Sequence, residues 1–329
     1  MQQLEKINLL GFLLPVLVST GMFYYYLQPG NKISKRFGGV IVGVTVIFFV
    51  TLFQSFYPGF LLPKDFWSLI FGIIILLVGG IWDDQEKISW QKQLLFQSAA
   101  ALLVVFVGDT ISHIRLPGGV VFYFPPFFSA ILAYFWIILV IEALNWLDGV
   151  DGLSGSIGFI TLLTLAILGL NPIVNQPSTT LLCLIVAGAV VGFLFFNFPP
   201  GKIHLGSAGI WILGFLIAVI SIYSGGKVAT TALVLGIPII DFLFVSIERL
   251  VAGKLPVSGG DRRHLHERLI DLGWSPIKIT AVISLFSMLL GIGALLTQTA
   301  GKFYLVLPLT VFFLFFAIVY KPEKHSPKK

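Results

Sequence analysis

The sequence predicts an all-α integral membrane protein of about eleven transmembrane helices, with a small extracellular hairpin and chemistry-bearing cytoplasmic loops. Three observations carry this. Of 329 residues, 57% are apolar or aromatic and only 11% are charged, against about 25% charged in soluble domains, and the mean hydropathy is +0.97. Apolar runs near the length of about 20 residues that a helical crossing needs recur along the whole chain. Lys and Arg concentrate on alternate connections between those runs. A soluble globular enzyme is thereby excluded. Eleven crossings take about 220 residues and leave roughly 110 for loops and tails, so no large extramembrane domain fits. Residues 1–320 read as a single polytopic domain and 321–329 as a basic cytoplasmic tail.

The runs follow in order. Ile7 to Leu27 is too long for a signal-peptide core and no A-x-A site precedes the next run, so it is expected to be the first helix. Phe37 to Tyr57, Phe66 to Trp82 and Leu94 to Val107 come next. Between Gly108 and Pro126 the residues Ile114, Leu116, Val120, Phe122 and Phe124 alternate around Pro117-Gly118-Gly119, the pattern of a hairpin. Phe127 to Leu144, Ile157 to Leu170, Thr179 to Phe196 and Ile210 to Tyr223 continue the series, then Val228 to Ile247, Ile277 to Thr297 and Phe303 to Tyr320. The shorter runs need flanking residues to span. The single cysteine, Cys183, gives neither a disulfide framework nor a Cys-rich zinc site.

With the N-terminus outside and the C-terminus in the cytoplasm, 16 of the 21 Lys and Arg fall inside and 5 outside, as the positive-inside rule requires. The acids crowd the same inner face, among them Asp83, Asp84, Asp148, Asp151 and Asp261. Carboxylates play little part in setting topology, so a metal or a charged substrate is the better reason for them, with simple solvation of short loops as the bland one.

Four stretches carry chemistry. Asp83-Asp84 closes the third run, and such a repelling pair is relieved by a cation or a shared proton. Lys92, at the start of the next helix, is placed to meet a phosphate or to snorkel. Asn145-Trp146-Leu147-Asp148-Gly149-Val150-Asp151-Gly152 lies between two apolar runs. If the helix reaches Asp148, Asn145 and Asp148 share a face, and the glycines then let backbone approach a ligand. A calcium loop is rejected because its run of ligand positions and terminal Glu are missing. Asp261-Arg262-Arg263-His264-Leu265-His266-Glu267-Arg268 offers two imidazoles and guanidinium groups to an anion such as pyrophosphate, and no further Cys or His nearby completes a zinc site. Phe195 to Gly209 is an inner loop with a small-residue turn before a helix, suited to an anion or simply to a tight connection.

Together and in this order these motifs, with the stretch from Pro238 to Asp241 leading to Arg249, resemble the polyprenyl-phosphate N-acetylhexosamine-1-phosphate transferase family, glycosyltransferase family 4. The likeness is to its bacterial undecaprenyl-phosphate N-acetylglucosaminyl 1-phosphate transferase branch and covers most of the chain. The resemblance implies an enzyme with catalytic cytoplasmic loops in the plasma membrane. It would transfer a sugar 1-phosphate, N-acetylglucosamine 1-phosphate being the expected one, from a UDP-sugar to undecaprenyl phosphate or a similar polyprenyl phosphate, releasing UMP. That is the first membrane step of an envelope glycan such as cell wall, lipopolysaccharide or teichoic acid. The implied partners are the bilayer, the lipid acceptor and the nucleotide-sugar donor, with no nucleic acid, and a homodimer is left open. Asp83, Asp84 and Asp148 are the implied catalytic residues, the first two activating or positioning the lipid phosphate. Asn145 and Asp148 would line the nucleotide site and its Mg2+, with Mn2+ as an alternative. Asp151 would position the nucleotide, Arg262, His264, His266 and Arg268 would hold the donor's pyrophosphate, and Lys92 would be a second phosphate contact.

Two departures stand against the family pattern. Ser207 occupies the place of the family's metal-ligand Asp, and a serine hydroxyl is a weak neutral ligand where magnesium sites rely on one or two carboxylates. His204 is no obvious substitute, since imidazole suits magnesium poorly, whereas Asp148 or Asp84 could supply a carboxylate. The first inner loop, Pro29 to Gly39, keeps basic residues but lacks the family's His and Pro-x-Pro. Ser207 therefore motivates a second reading, an impaired relative serving as a binding or scaffold protein. Glu142, inside a run, motivates a third, an anion transporter, although transporter sites lie near the midplane and the acids here lie at one surface.

Overall fold

The computed structural model describes residues 2–28, 36–57, 59–115, 120–223, 227–255, 263–297, 301–302 and 304–305. The architecture is all-α, in the order α1 (Gln2–Tyr26), α2 (Gly38–Phe56), α3 (Pro63–Glu86), α4 (Trp90–Phe106), β1 (His113–Arg115), β2 (Val121–Tyr123), α5 (Pro126–Leu147), α6 (Leu153–Leu170), α7 (Pro177–Asn197), α8 (Gly206–Tyr223), α9 (Val228–Val234), α10 (Gly236–Val251), α11 (Leu265–Asp271) and α12 (Pro276–Leu296). Four long helices, α3, α5, α7 and α12, open on Pro63, Pro126, Pro177 and Pro276. A proline in the first turn has no N–H to leave orphaned and its φ is already helical.

Among the described residues eight helices are long and apolar enough to cross a membrane, or nine if the bent pair α9–α10 is one span. The first ten predicted runs all have helical counterparts. The fourth is α4, of only 17 residues. The ninth does not run straight, because α9 and α10 meet at 77°. Pro238 explains the break: it has no N–H to give the Val234 carbonyl, so the helix restarts at Gly236 with the proline in its first turn. Apart from 304–305 the eleventh predicted run lies outside the described residues, as do the basic tail, the first inner loop from Pro29 to Lys35, Asp261 and Arg262.

The predicted hairpin is present, β1 pairing antiparallel with β2 with Ile114 opposite Phe122, while its turn, 116–119, lies outside the described residues. At the core stands α8, buried continuously from Ala208 to Ile222, as an all-round apolar helix should be. Helices α2, α3 and α5 pack around it. Approach there is so close that a Cβ on Gly39 would lie 2.0 Å from the Gly209 nitrogen, and one on Gly80 2.2 Å from the Ala208 Cα. Small residues at crossings permit such contact, which is how helices associate where lipid removes the hydrophobic drive. Large apolar side chains such as Leu17, Phe48 and Phe106 remain exposed on the outside, where a bilayer would cover them. The up-and-down course brings the N-termini of α2, α6 and α8 and the C-termini of α3, α5 and α7 to one end.

Candidate active site

At that end lies a cavity of about 350 Å³. Four of the residues singled out in the sequence line it: Asp84, Asn145, Asp148 and Asp151. Arg36, Lys87, Asn197 and His204 join them. Six helix termini thus supply one site, and three carboxylates face two fixed cations and an imidazole.

The adjacent pair at the end of α3 divides its work. Asp83 is buried, and its oxygens accept from the Ile88 N–H (3.0 Å), the Gln93 amide (2.9 Å) and the Ser207 hydroxyl (2.5 Å). Asp84 lines the cavity and accepts from the backbone N–H groups of Ser207 (2.8 Å) and Ala208 (3.3 Å). It thereby meets two orphan donors at the start of α8, a favourable place for a carboxylate. Successive helical residues point about 100° apart, which is why one carboxylate looks into the bundle and the other into the cavity.

Helix α5 ends at Leu147, so Asp148 sits just past it as the cap residue, one turn beyond Asn145, and Gly152 (φ 76°) turns the chain into α6. The Ser154 hydroxyl donates to Asp148. Burial pushes the Asp148 carboxyl up to about 7, the charges of Asp84 and Asp151 adding to the effect and the Ser154 hydrogen bond opposing it. Asp151 accepts from the Gly201 N–H (2.9 Å) and lies 3.3 Å from His204 Nδ1.

The His-rich segment stands behind this turn. Asp241 of α10 accepts from the Leu265 N–H (2.9 Å) and pairs with His264 Nδ1 (2.7 Å), both side chains being buried. A single carboxylate thus starts α11 and orients the histidine. The His264 ring lies edge-on to Trp146 (4.7 Å) and stacks with His266 (6.0 Å). His266 packs on the cavity-lining Gly149, where a Cβ would be 2.3 Å from its Nε2. Arg268 turns away to Glu248 (3.0 Å) and the Arg263 carbonyl (2.5 Å), and Arg249 lies over the Trp146 ring at 4.0 Å. Neither Arg268 nor the two histidines line the cavity itself. Lys92 does not either: it lies over the Trp82 ring at 4.6 Å. Glu142 accepts from Gln97 (2.7 Å) and Trp146 (2.7 Å), a hydrogen-bonded carboxylate between helices, which removes the motive for reading it as a transport site.

The cavity residues that sequence reasoning missed had signals of different strength. Arg36 and Lys87 were visible only as inner-loop bases. Asn197, at the end of an apolar helix, had to find partners once buried; its side chain accepts from the Gly152 N–H (2.8 Å) and donates to the Ile203 carbonyl (2.7 Å), tying two loops together.

The model of glycosyl transferase family 4 matches residues 66–225, the span that supplies every cavity residue except Arg36. Those residues carry the sequence pattern of that family. Over 304 residues, covering 89% of this chain and 81% of the relative, this chain is 29% identical to the probable undecaprenyl-phosphate N-acetylglucosaminyl 1-phosphate transferase of Bacillus subtilis. It is 24% identical to the decaprenyl-phosphate N-acetylglucosaminephosphotransferase of Mycobacterium tuberculosis H37Rv, across 79% of this chain and 71% of that one. With the phospho-N-acetylmuramoyl-pentapeptide-transferase of Streptococcus uberis it shares 34% identity over 200 residues, 56% of this chain and 59% of that one.

No three His, Cys, Asp or Glu side chains among the described residues converge as a ready-made metal cage. The arrangement still fits a magnesium-type ion, which takes one or two carboxylates and completes its shell with water and substrate phosphates. Asp148, whose charge Asp84 and Asp151 disfavour, is a carboxylate that a cation would relieve, and Asn145 lies one turn away.

Proposed function

We propose that this multi-pass membrane enzyme moves N-acetylglucosamine 1-phosphate from UDP-N-acetylglucosamine to undecaprenyl phosphate at the cytoplasmic face, releasing UMP. Transfer of a sugar phosphate to a polyprenyl phosphate is supported by the family match and by the named relatives. The finer reading rests chiefly on one observation: a cavity at one end of the bundle in which Asp84, Asn145, Asp148 and Asp151 meet Arg36 and Lys87. The cytoplasmic placement is supported by the 16 to 5 division of basic residues.

In the reaction an oxygen of the lipid phosphate attacks the phosphorus that carries the sugar, and the bond from that phosphorus to UMP breaks. Such transfer needs alignment and neutralisation of charge more than covalent help from the protein. Arg36 and Lys87 supply fixed positive charge at the cavity wall, and Asp84 holds its place there through the α8 N-terminus. Asp83, engaged by three donors, positions Asp84 and Ser207. His264 would reach the donor's pyrophosphate from the second layer, through its buried Nε2, which has no hydrogen-bond partner among the described residues. A magnesium ion held by Asp148 and Asn145 would supply neutralisation of pyrophosphate charge, and manganese has the same use.

Release of UMP by purified protein given both substrates tests the proposal, with magnesium, with manganese and with chelator, beside Ser207→Asp. Metal-dependent turnover by the unmodified chain is expected. The hold of Ser207 on Asp83 favours one rival, a binding protein that has lost turnover, and activity in Ser207→Asp alone would establish it. Absence of UMP release with every UDP-sugar would overturn both the substrate and the reaction.

A further inference from the structure

We propose that His204 is a phosphate-binding residue of the cavity and that Asp151 is the residue that positions it. The inference rests on the transferase reading and names a ligand contact within the same site. The loop that carries His204 is pinned almost residue by residue. The Gly201 N–H donates to Asp151 (2.9 Å), the Lys202 N–H to the Phe196 carbonyl (2.8 Å), and the Asn197 amide to the Ile203 carbonyl (2.7 Å). From the start of α2 the Gly39 N–H donates to the Leu205 carbonyl (2.8 Å). Ile203 and Leu205 are both buried, at 0% and 1% exposure. The side chain between them is turned the other way, into the cavity, with 47% of its surface open.

An imidazole left merely to water needs no such mounting. This one has Nδ1 3.3 Å from an Asp151 oxygen whose partner oxygen is taken by Gly201. The Asp151 backbone is itself held from α12 by the Thr280 hydroxyl (3.0 Å). A carboxylate on one ring nitrogen fixes the ring's orientation, so that the protonated ring turns its other N–H to the cavity as a donor to an anion. Arg36 and Lys87 share the same wall. The ligand chemistry that suits three such donors is a phosphate oxygen, supplied by the donor's diphosphate or by the acceptor's monophosphate. Asp151 acts through His204, because both its oxygens are committed to the protein.

Equilibrium binding in detergent decides the matter, with UDP-N-acetylglucosamine and a short-chain polyprenyl phosphate as separate probes. The proteins are wild type, His204→Phe, His204→Gln, Asp151→Asn and the His204→Phe, Asp151→Asn double variant. Loss of one charge-assisted hydrogen bond should weaken one probe by about ten- to hundredfold in His204→Phe, and the probe affected identifies which phosphate is held. His204→Gln, which keeps a donor, should recover part of the loss. Asp151→Asn should weaken the same probe without adding to His204→Phe, since coupled residues are not additive. Because Asp151 also holds Gly201, thermal unfolding is followed for every variant, and His204→Gln and His204→Phe carry the test if Asp151→Asn unfolds. Affinities for both probes within about twofold of wild type in His204→Phe would overturn the inference alone. Wild type that binds neither probe would overturn the transferase reading along with it.

Discussion

The hydroxyl of Ser207 donates to Asp83 at 2.5 Å while its own N–H caps onto Asp84 at 2.8 Å. One small residue therefore ties both acids of the α3 terminus to the first turn of α8. In Ser207→Asp a third carboxylate would face Asp83, with repulsion in place of a hydrogen bond. In chelator this variant should unfold earlier than wild type, at a cost of about 1–3 kcal/mol, and magnesium should restore more stability to it than to wild type. Thermal unfolding in detergent, with and without magnesium, checks this; a variant as stable as wild type in chelator would contradict it.

Asp241 starts α11 and orients His264 with its two oxygens. Asp241→Ala should cost about 3–5 kcal/mol, the usual consequence of breaking a buried pair. Asp241→Asn should fold better and still weaken donor binding, because an amide has one acceptor oxygen where the carboxylate serves both the Leu265 N–H and the imidazole. The measurement is unfolding for the first variant and the KM for UDP-sugar for the second.

Gly80 faces the Ala208 backbone with no room for a methyl group, the contact being with backbone rather than a movable side chain. Gly80→Ala should destabilise by about 3 kcal/mol or more through separation of α3 from α8. In Gly149→Ala the nearest atoms are those of the His266 side chain rather than backbone, so its yield of folded protein should exceed that of Gly80→Ala while donor affinity falls. Size-exclusion recovery and nucleotide binding distinguish the two.

At the hairpin end, Asp109 lies 3.3 Å from Lys64. Burial, and then the charge of Asp65, pushes its carboxyl from 3.8 up to about 6, with Lys64 opposing. The folded protein holds this proton longer than the unfolded chain does, so its contribution to stability should be full below pH 4 and fall by about 2 kcal/mol as pH rises toward 6, remaining lower above that. Asp109→Asn should remove that slope. Unfolding midpoints across pH 4 to 8 test it, and an unchanged slope in the variant would refute the assignment.

Much of this was legible in the sequence for identifiable reasons. Apolar run length located the helices, since spanning lipid constrains length and composition strongly. Val228 to Ile247 misled because hydropathy is blind to direction: it sees one apolar run where Pro238 breaks it into two helices. Asp84, Asn145, Asp148 and Asp151 could be singled out by residue type, but whether Asp83 faced the cavity depended on a helical phase that adjacency conceals. Lys92 was plausible by location and lost to the nearer Trp82 ring. Arg36 and His204 reach the cavity from loops far apart in the chain, and no local pattern reports which loops meet.

The contact of Gly39 with Gly209 and of Gly80 with Ala208 leaves the α2–α3–α8 junction beneath the cavity made of main chain. Such a floor offers evolution almost nothing to edit, since any added side chain prises the helices apart before it can reach a ligand. Changes in what the cavity accepts must then be written in the walls, in the loop around His204 and the segment around His264, where substitution costs least. Related chains with different donors should keep this junction and diverge there.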